Sequence, residues 1–288
     1  MGKCIYCGED CGWFRSYHKE CKRKHEKHLE DLRQQSYSAR LQLEDLLYNC
    51  FIDKIDFASK EDEINALMRD AYITNEEDKK LVYITVVDRA IEKFLEDGVI
   101  DEDEKAIVDK FALFTDMTFN ELNKNKSIEK MLKSEVIGDI LNGNTPKPRV
   151  SVPDDFPFML KKNENFIWLF PDIKYYKQKT KREYVGKSHG VSIRIAKGVY
   201  YRIGASKGTP VDTTYMDLID TGCVCLTDKN IYFSSSNSSF RIPYNKIISV
   251  NPHSNGVEIN TERSTDKPIF LEDIDTWFVQ NVISNLNE

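Results

Sequence analysis

The period of the hydrophobic residues changes once, at Asn142-Gly143-Asn144-Thr145-Pro146-Lys147-Pro148, and this break limits the chain to an α-rich part followed by a β-rich part. Gly143 supplies turn geometry, and Pro146 and Pro148 remove backbone donors, so neither a helix nor a central strand runs through the segment. Before the break, apolar residues recur at steps of three and four. After it they alternate, as in Val191, Ile193 and Ile195 against Ser192, Arg194 and Ala196. At 288 residues the chain exceeds one ordinary core and fits two or three domains.

Four of the seven cysteines lie between Cys4 and Cys21, beside His18. An odd count clustered this tightly points to metal rather than to a disulfide framework. Cys4-Ile5-Tyr6-Cys7-Gly8 has the spacing by which one tight turn presents two thiolates, and Gly8 eases the reversal. His18-Lys19-Glu20-Cys21 offers a second pair at the start of a helix, which gives a closed Cys4, Cys7, His18, Cys21 set for a structural zinc ion. Cys11, His25 and His28 remain candidates to replace His18. A knuckle, a short hairpin and a helix N-terminus in this order resemble the treble-clef zinc fingers, over about residues 3 to 25.

The helix is expected from about Ser16 to Asn49, with a seam at Leu29, Leu32, Ser36, Ala39, Leu43 and Leu46. The seam suits packing on the helices that follow, or self-association as a coiled coil and hence a homo-oligomer. Residues 53 to 104 carry 17 acidic against 7 basic side chains. Within them Asp70-Ala71-Tyr72-Ile73-Thr74-Asn75-Glu76-Glu77 aligns with the later stretch Asp97-Gly98-Val99-Ile100-Asp101-Glu102-Asp103-Glu104. Thr74 with Glu77, Asp101 with Glu104, and Thr118 with Glu121 have capping-box spacing, so each should start a helix of a small antiparallel bundle. An EF-hand is excluded: with Gly98 at the sixth loop position, the first and third would be Lys93 and Leu95. The Asp97, Gly98, Ile100, Glu104 pattern resembles the TerB-like helical domain of tellurite resistance. That resemblance implies a bacterial stress- or defence-associated module with divalent-metal contacts at paired acids.

Beyond the break, Gly222-Cys223-Val224-Cys225-Leu226-Thr227-Asp228, then Ile231-Tyr232-Phe233, then Ile242-Pro243-Tyr244-Asn245-Lys246-Ile247 resemble the bacterial PH-like and GRAM-like families. A terminal helix from about Glu272, with Ile274, Trp277, Phe278, Val282 and Leu286 on one face, completes the likeness over about residues 155 to 287. It implies a barrel or sandwich used for binding, with no catalytic residues. Cys223 and Cys225 are expected in its core. Residues 173 to 210 hold 10 basic side chains and only Glu183 as an acid. Lys177, Lys179, Lys181, Arg182, Lys187 and Arg194 are therefore the expected surface for a ligand or partner.

The fold class expected is multidomain α+β: a zinc finger (1–28), a long helix and TerB-like bundle (29–145), a linker (146–154), and a PH-like β-barrel or sandwich with a C-terminal helix (155–288). No apolar run approaches the ~18 residues that span a bilayer, and the N-terminus begins with a polar cysteine-rich stretch, so a cytoplasmic protein is expected. No cofactor loop, triad or open metal site is visible. The function expected is a non-enzymatic zinc-binding adaptor with a protein partner. The alternative is a binder of phosphate groups, on nucleic acid through the finger or on anionic membrane through the PH-like domain.

Overall fold

A computed structural model describes residues 2–185, 191–196, 199–203, 209–262 and 267–287; for Asp97 and for residues 181–213 it describes the backbone alone. The chain is mixed α+β and forms two compact units, Met1–Glu135 and Val136–Glu288.

In the first unit a two-stranded ribbon, β1 (Gly2–Lys3) and β2 (Asp10–Gly12), precedes helix α1 (Lys19–Ile52). Helices α2 (Glu61–Asp70), α3 (Glu76–Phe94), α4 (Glu102–Thr115), α5 (Phe119–Leu122) and α6 (Ser127–Leu141) follow. Helix α6 ends at the Asn142–Pro148 break, its last turns belonging to the second unit. The first unit is built on an aromatic centre in which Phe51, Phe57 and Phe111 have ring centroids 4.8–5.0 Å apart. Ala39, Leu43, Leu47, Val82, Val87, Ile91 and Val108 surround it.

Only half of the α1 seam takes part. Ser36 Oγ donates to the Ala71 carbonyl at 2.9 Å, and Ala39 and Leu43 are buried. From Lys19 to Ser38 no side chain of α1 is fully buried, but Leu32 and Ser36 are half-buried and Ser36 meets Ala71, so about 15 Å of helix, from Lys19 to His28, runs beyond the packed portion.

Two of the three capping boxes form as expected, at Asp101 with Glu104 and at Thr118 with Glu121. The first differs by one residue: Asn75, not Thr74, caps α3, accepting from the Asp78 amide at 2.7 Å. The left-handed residue moves with it, from Ala71, the counterpart of Gly98, to Tyr72, at φ 54° against 98° for Gly98. The backbone repeat is thus one position shorter than the sequence repeat, although buried Ile73 and Ile100 keep the spacing of the sequence. The shift places an exposed tyrosine where only glycine is unstrained. Tyr72→Gly should therefore raise stability, and Gly98→Ala, whose new Cβ meets nothing within 4 Å, should lower it. Each effect should be about 1 kcal/mol, read as opposite shifts in the urea midpoint of the helical circular dichroism. In the same assay Asp101→Ala should cost about 1 kcal/mol by removing the cap of α4.

The second unit contains β3 (Phe166–Val185), β4 (Val191–Ala196), β5 (Val199–Ile203), β6 (Thr209–Thr227), β7 (Asn230–Ser234), β8 (Ser239–Pro243), β9 (Ile247–His253), β10 (Gly256–Thr261), β11 (Ile269–Glu272) and helix α7 (Thr276–Asn285). Seven strands pair antiparallel in the order β8-β7-β6-β3-β11-β10-β9, while β4 and β5 form a separate hairpin. The expected barrel or sandwich is corrected to one open sheet, whose edge strands β8 and β9 are not paired with each other. The sheet is nonetheless strongly curled. Seven flat strands would set its edges about 29 Å apart, yet only Tyr244–Lys246 separates β8 from β9, a span of at most ~15 Å. Helix α7 lies inside the curl, with Phe278 5.5 Å from the Trp168 ring.

The strands expected at Phe166–Phe170 and Ile173–Tyr176 are one strand, irregular where Asp172 takes φ 56°. Gly222 is required by close approach, since a Cβ there would meet the Ser234 carbonyl oxygen at 2.2 Å. Cys223 is only half-buried. Cys225 is fully buried, but in a second cluster with Phe166 and Tyr232, covered by Phe156 and Phe158 of the preceding segment. Burial pushes its thiol up to about 12, an inert state.

One acid holds that segment to the sheet. Glu164 accepts from Thr227 Oγ1 (2.5 Å), Asn230 Nδ2 (2.7 Å), Tyr232 Oη (2.7 Å) and the Lys161 amide (2.9 Å). In return Asp228 accepts from the Asn165 amide and its Nδ2, both at 2.9 Å. The Thr227-Asp228 turn is therefore one half of a reciprocal latch. Burial alone would raise the Glu164 pKa, but the hydrogen bonds from Thr227, Tyr232, Lys161 and Asn230 outweigh it and hold the carboxyl below its usual value.

Candidate metal centre

The start of the chain, up to His18, is organised by backbone hydrogen bonds that aim sulfur inward. Gly8, at φ 77°, donates to the Cys4 carbonyl at 2.8 Å, and the Cys4 amide donates to Glu9 at 2.7 Å, closing the Cys-x2-Cys turn. His18 is the extended N-cap of α1, one residue before the helix, and Cys21 lies in its first turn, where the helix dipole favours a thiolate. The imidazole is oriented from behind, with Nε2 3.1 Å from the Asp10 carbonyl. That partner can only accept, so Nε2 carries the proton and Nδ1 presents its lone pair to the centre.

The donor atoms of Cys4, Cys7, His18 and Cys21 all lie within 4.8 Å of one another. Nδ1 of His18 is 3.5 Å from Cys7 Sγ and 3.7 Å from Cys21 Sγ. A zinc tetrahedron with Zn–S near 2.3 Å and Zn–N near 2.0 Å has N–S edges of about 3.6 Å, so the spacing and chemistry of the donors fit the ion. Burial raises the Cys4 thiol, but hydrogen bonds from the His18, Cys7 and Tyr6 amides and from the Cys7 side chain bring it down to about 6. Cys21 is pushed up to about 11 by burial and then by the neighbouring sulfurs of Cys7 and Cys4. A divalent cation at the centre of the four donors removes that repulsion.

The other candidates point elsewhere. Cys11 Sγ lies 3.0 Å from both the Gly2 and Arg15 carbonyls, which ties the hairpin together. The His25 ring packs on Tyr6 with centroids 4.8 Å apart, and His28 is exposed. In the acidic repeats, Asp101 and Glu104 are engaged with the backbone of the α4 cap. Among the described residues the cysteine and histidine cluster alone gathers three or more metal-ligating side chains.

The expected basic surface is only partly described. Lys177 is exposed, with Nζ 5.6 Å from the Tyr175 ring. Lys179 is paired with Asp217 at 2.5 Å, and Lys174 with Asp273 at 2.7 Å. Lys187 and the side chains of Lys181, Arg182 and Arg194 lie outside the described residues, as does His189. Counting charge along one strand missed these neutralising acids because they sit on β6 and after β11. It also missed Trp13 and Phe14, which follow the hairpin as exposed aromatics; an aromatic pair beside a candidate metal knuckle was the available signal.

Comparison with protein families, with curated proteins and with solved structures found no match to this chain. Fold and site therefore define a class only: a mixed α+β protein with a four-donor Cys3His group able to hold a metal ion at the foot of a long helix.

Proposed function

We propose that this chain is a non-enzymatic adaptor of a reducing, intracellular compartment, carrying one structural zinc ion and binding a protein partner. The convergence of Cys4, Cys7, His18 and Cys21 is the observation that supports it. Three thiolates and an imidazole are a soft donor set suited to zinc, and with four protein ligands no position is left for an activated water. The finger then serves to organise a surface rather than to react. Helix α1 carries that surface away from the packed helices, as a module presenting a partner would require.

Native purification followed by elemental mass spectrometry and mass-resolved chromatography tests the reading. One zinc per chain with a stoichiometric protein is the expected result. No zinc overturns the metal centre, and a nucleic acid in place of a protein overturns the choice of partner.

A further inference from the structure

Apolar side chains collect on the solvent side of the metal knuckle. Trp13 is 74% exposed, Ile5 69%, and Phe14 is wholly exposed. The Ile5 amide donates to the Ser16 carbonyl at 3.0 Å, which brings Ile5 beside the segment carrying the two aromatics. Single exposed hydrophobic residues are ordinary, but an isoleucine in the Cys-x2-Cys turn together with a tryptophan and a phenylalanine in the segment hydrogen-bonded to it are not explained by packing. Phe14 also holds φ 66°, a conformation that bulky residues enter only at a cost. A glycine or asparagine would serve the turn better, so the ring is kept for what it meets outside the fold.

The charge around this tip is net positive. With the ion pairs Lys22–Glu26 (3.6 Å) and Arg23–Glu20 (3.4 Å) set aside, Lys3, Arg15, Lys19, Lys24 and Lys27 face only Glu9 and Asp10 in the stretch from Met1 to His28. All five cations are exposed.

We infer that Ile5, Trp13 and Phe14 form an insertion tip for an anionic lipid bilayer, with the cations of the knuckle and of the first turns of α1 meeting the headgroups. A protruding tip with an aliphatic member suits the soft bilayer interface, where tryptophan is favoured, better than nucleic acid, whose bases stack on flat aromatic platforms. The unpaired lysines supply attraction to an anionic leaflet. No helix among the described residues is long and apolar enough to cross a membrane, so the contact is peripheral. This inference rests on the metal-held knuckle proposed above, because among the described residues before α1 only Cys4 and Cys11 are buried.

Sedimentation of the full chain with phosphatidylcholine vesicles, with and without about 30 mol% phosphatidylserine, tests it. Binding should require phosphatidylserine, weaken with salt, and fall at least about tenfold in a W13A/F14A variant, since both side chains contribute only at the interface. Both are exposed, so the variant should keep its zinc and its circular dichroism. Equal binding by the variant overturns the inference, as does preference for a single-stranded oligothymidylate over vesicles. A zinc-loaded chain that ignores the vesicles overturns this inference alone; a chain without zinc that ignores them overturns the metal centre as well.

Discussion

Removing the metal with a strong chelator should release residues 2–18 and fray the solvated first turns of α1, while the amides of the helical core from Ala39 onward keep their protection against hydrogen exchange. The first unit's core is packed apolar surface around Phe51, Phe57 and Phe111, whereas the knuckle buries only two cysteines. Structural zinc supplies on the order of 10 kcal/mol of folding free energy in segments of this kind, and nothing else in the knuckle approaches that. Cys7→Ser should have the same effect as chelation, because it removes one ligand without touching the buried residues. Acid should act in the same direction. All three sulfurs must be thiolates to bind, so each proton regained as pH falls competes with the metal, and Cys21, held near 11 without it, regains its proton most readily. Hydrogen-exchange mass spectrometry resolves the segments. Persistent protection of 2–18 in the metal-free chain would show that the knuckle folds unaided.

Glu164→Ala should destabilise the second unit by about 3 kcal/mol, because it strands the Thr227, Asn230 and Tyr232 donors in a buried site. Glu164→Gln should cost less, retaining an acceptor for part of the network. Trp168, buried in this unit, makes tryptophan fluorescence a direct report of its unfolding. The pH dependence follows from the direction of the shift. A carboxyl held lower in the folded than in the unfolded chain contributes its stabilisation above the unfolded value, about 4.3, and loses it as pH falls through the folded value. The unfolding midpoint of the native chain should therefore drop in acid more steeply than that of Glu164→Gln. Parallel curves would mean that Glu164 is not ionised in the folded protein.

The features legible in the sequence are the local ones. Two pairs of candidate metal donors at Cys-x2-Cys and His-x2-Cys spacing announce themselves, because each pair lies within one turn of backbone. The helix end before Asn142 was legible for the same reason, since glycine and proline act on their own backbone. The cap of α3 differs by one residue because Thr74 and Asn75 are adjacent and both can cap, so spacing to Glu77 or Asp78 does not choose between them. The sheet's failure to close was not legible. Alternation tells which face of a strand is buried, not which strand lies beside it. Glu164 was hidden for a similar reason: a lone acid in a polar segment becomes a latch only because Thr227, Asn230 and Tyr232 are brought to it from a distant part of the chain.

The order of strands in the sheet also bears on how the second unit assembles. Strands β9, β10 and β11 form one meander of sequence neighbours, and β6, β7 and β8 another. Besides the Tyr244–Lys246 turn, strand pairing joins the two through β3, whose pairing with β11 is short and links positions such as Lys174 and Glu272. Bringing such distant residues together carries the largest loop-closure entropy in the sheet, and that entropy is lost before the short pairing gives much in return. The β3–β11 joint should form late in folding and open early in native-state fluctuations. Helix α7, with Phe278 against Trp168 of β3 and its length along β9 and β10, straddles that joint and is synthesised after every strand. Each meander can form while the chain is still growing, but the curled sheet is secured only when its final helix arrives.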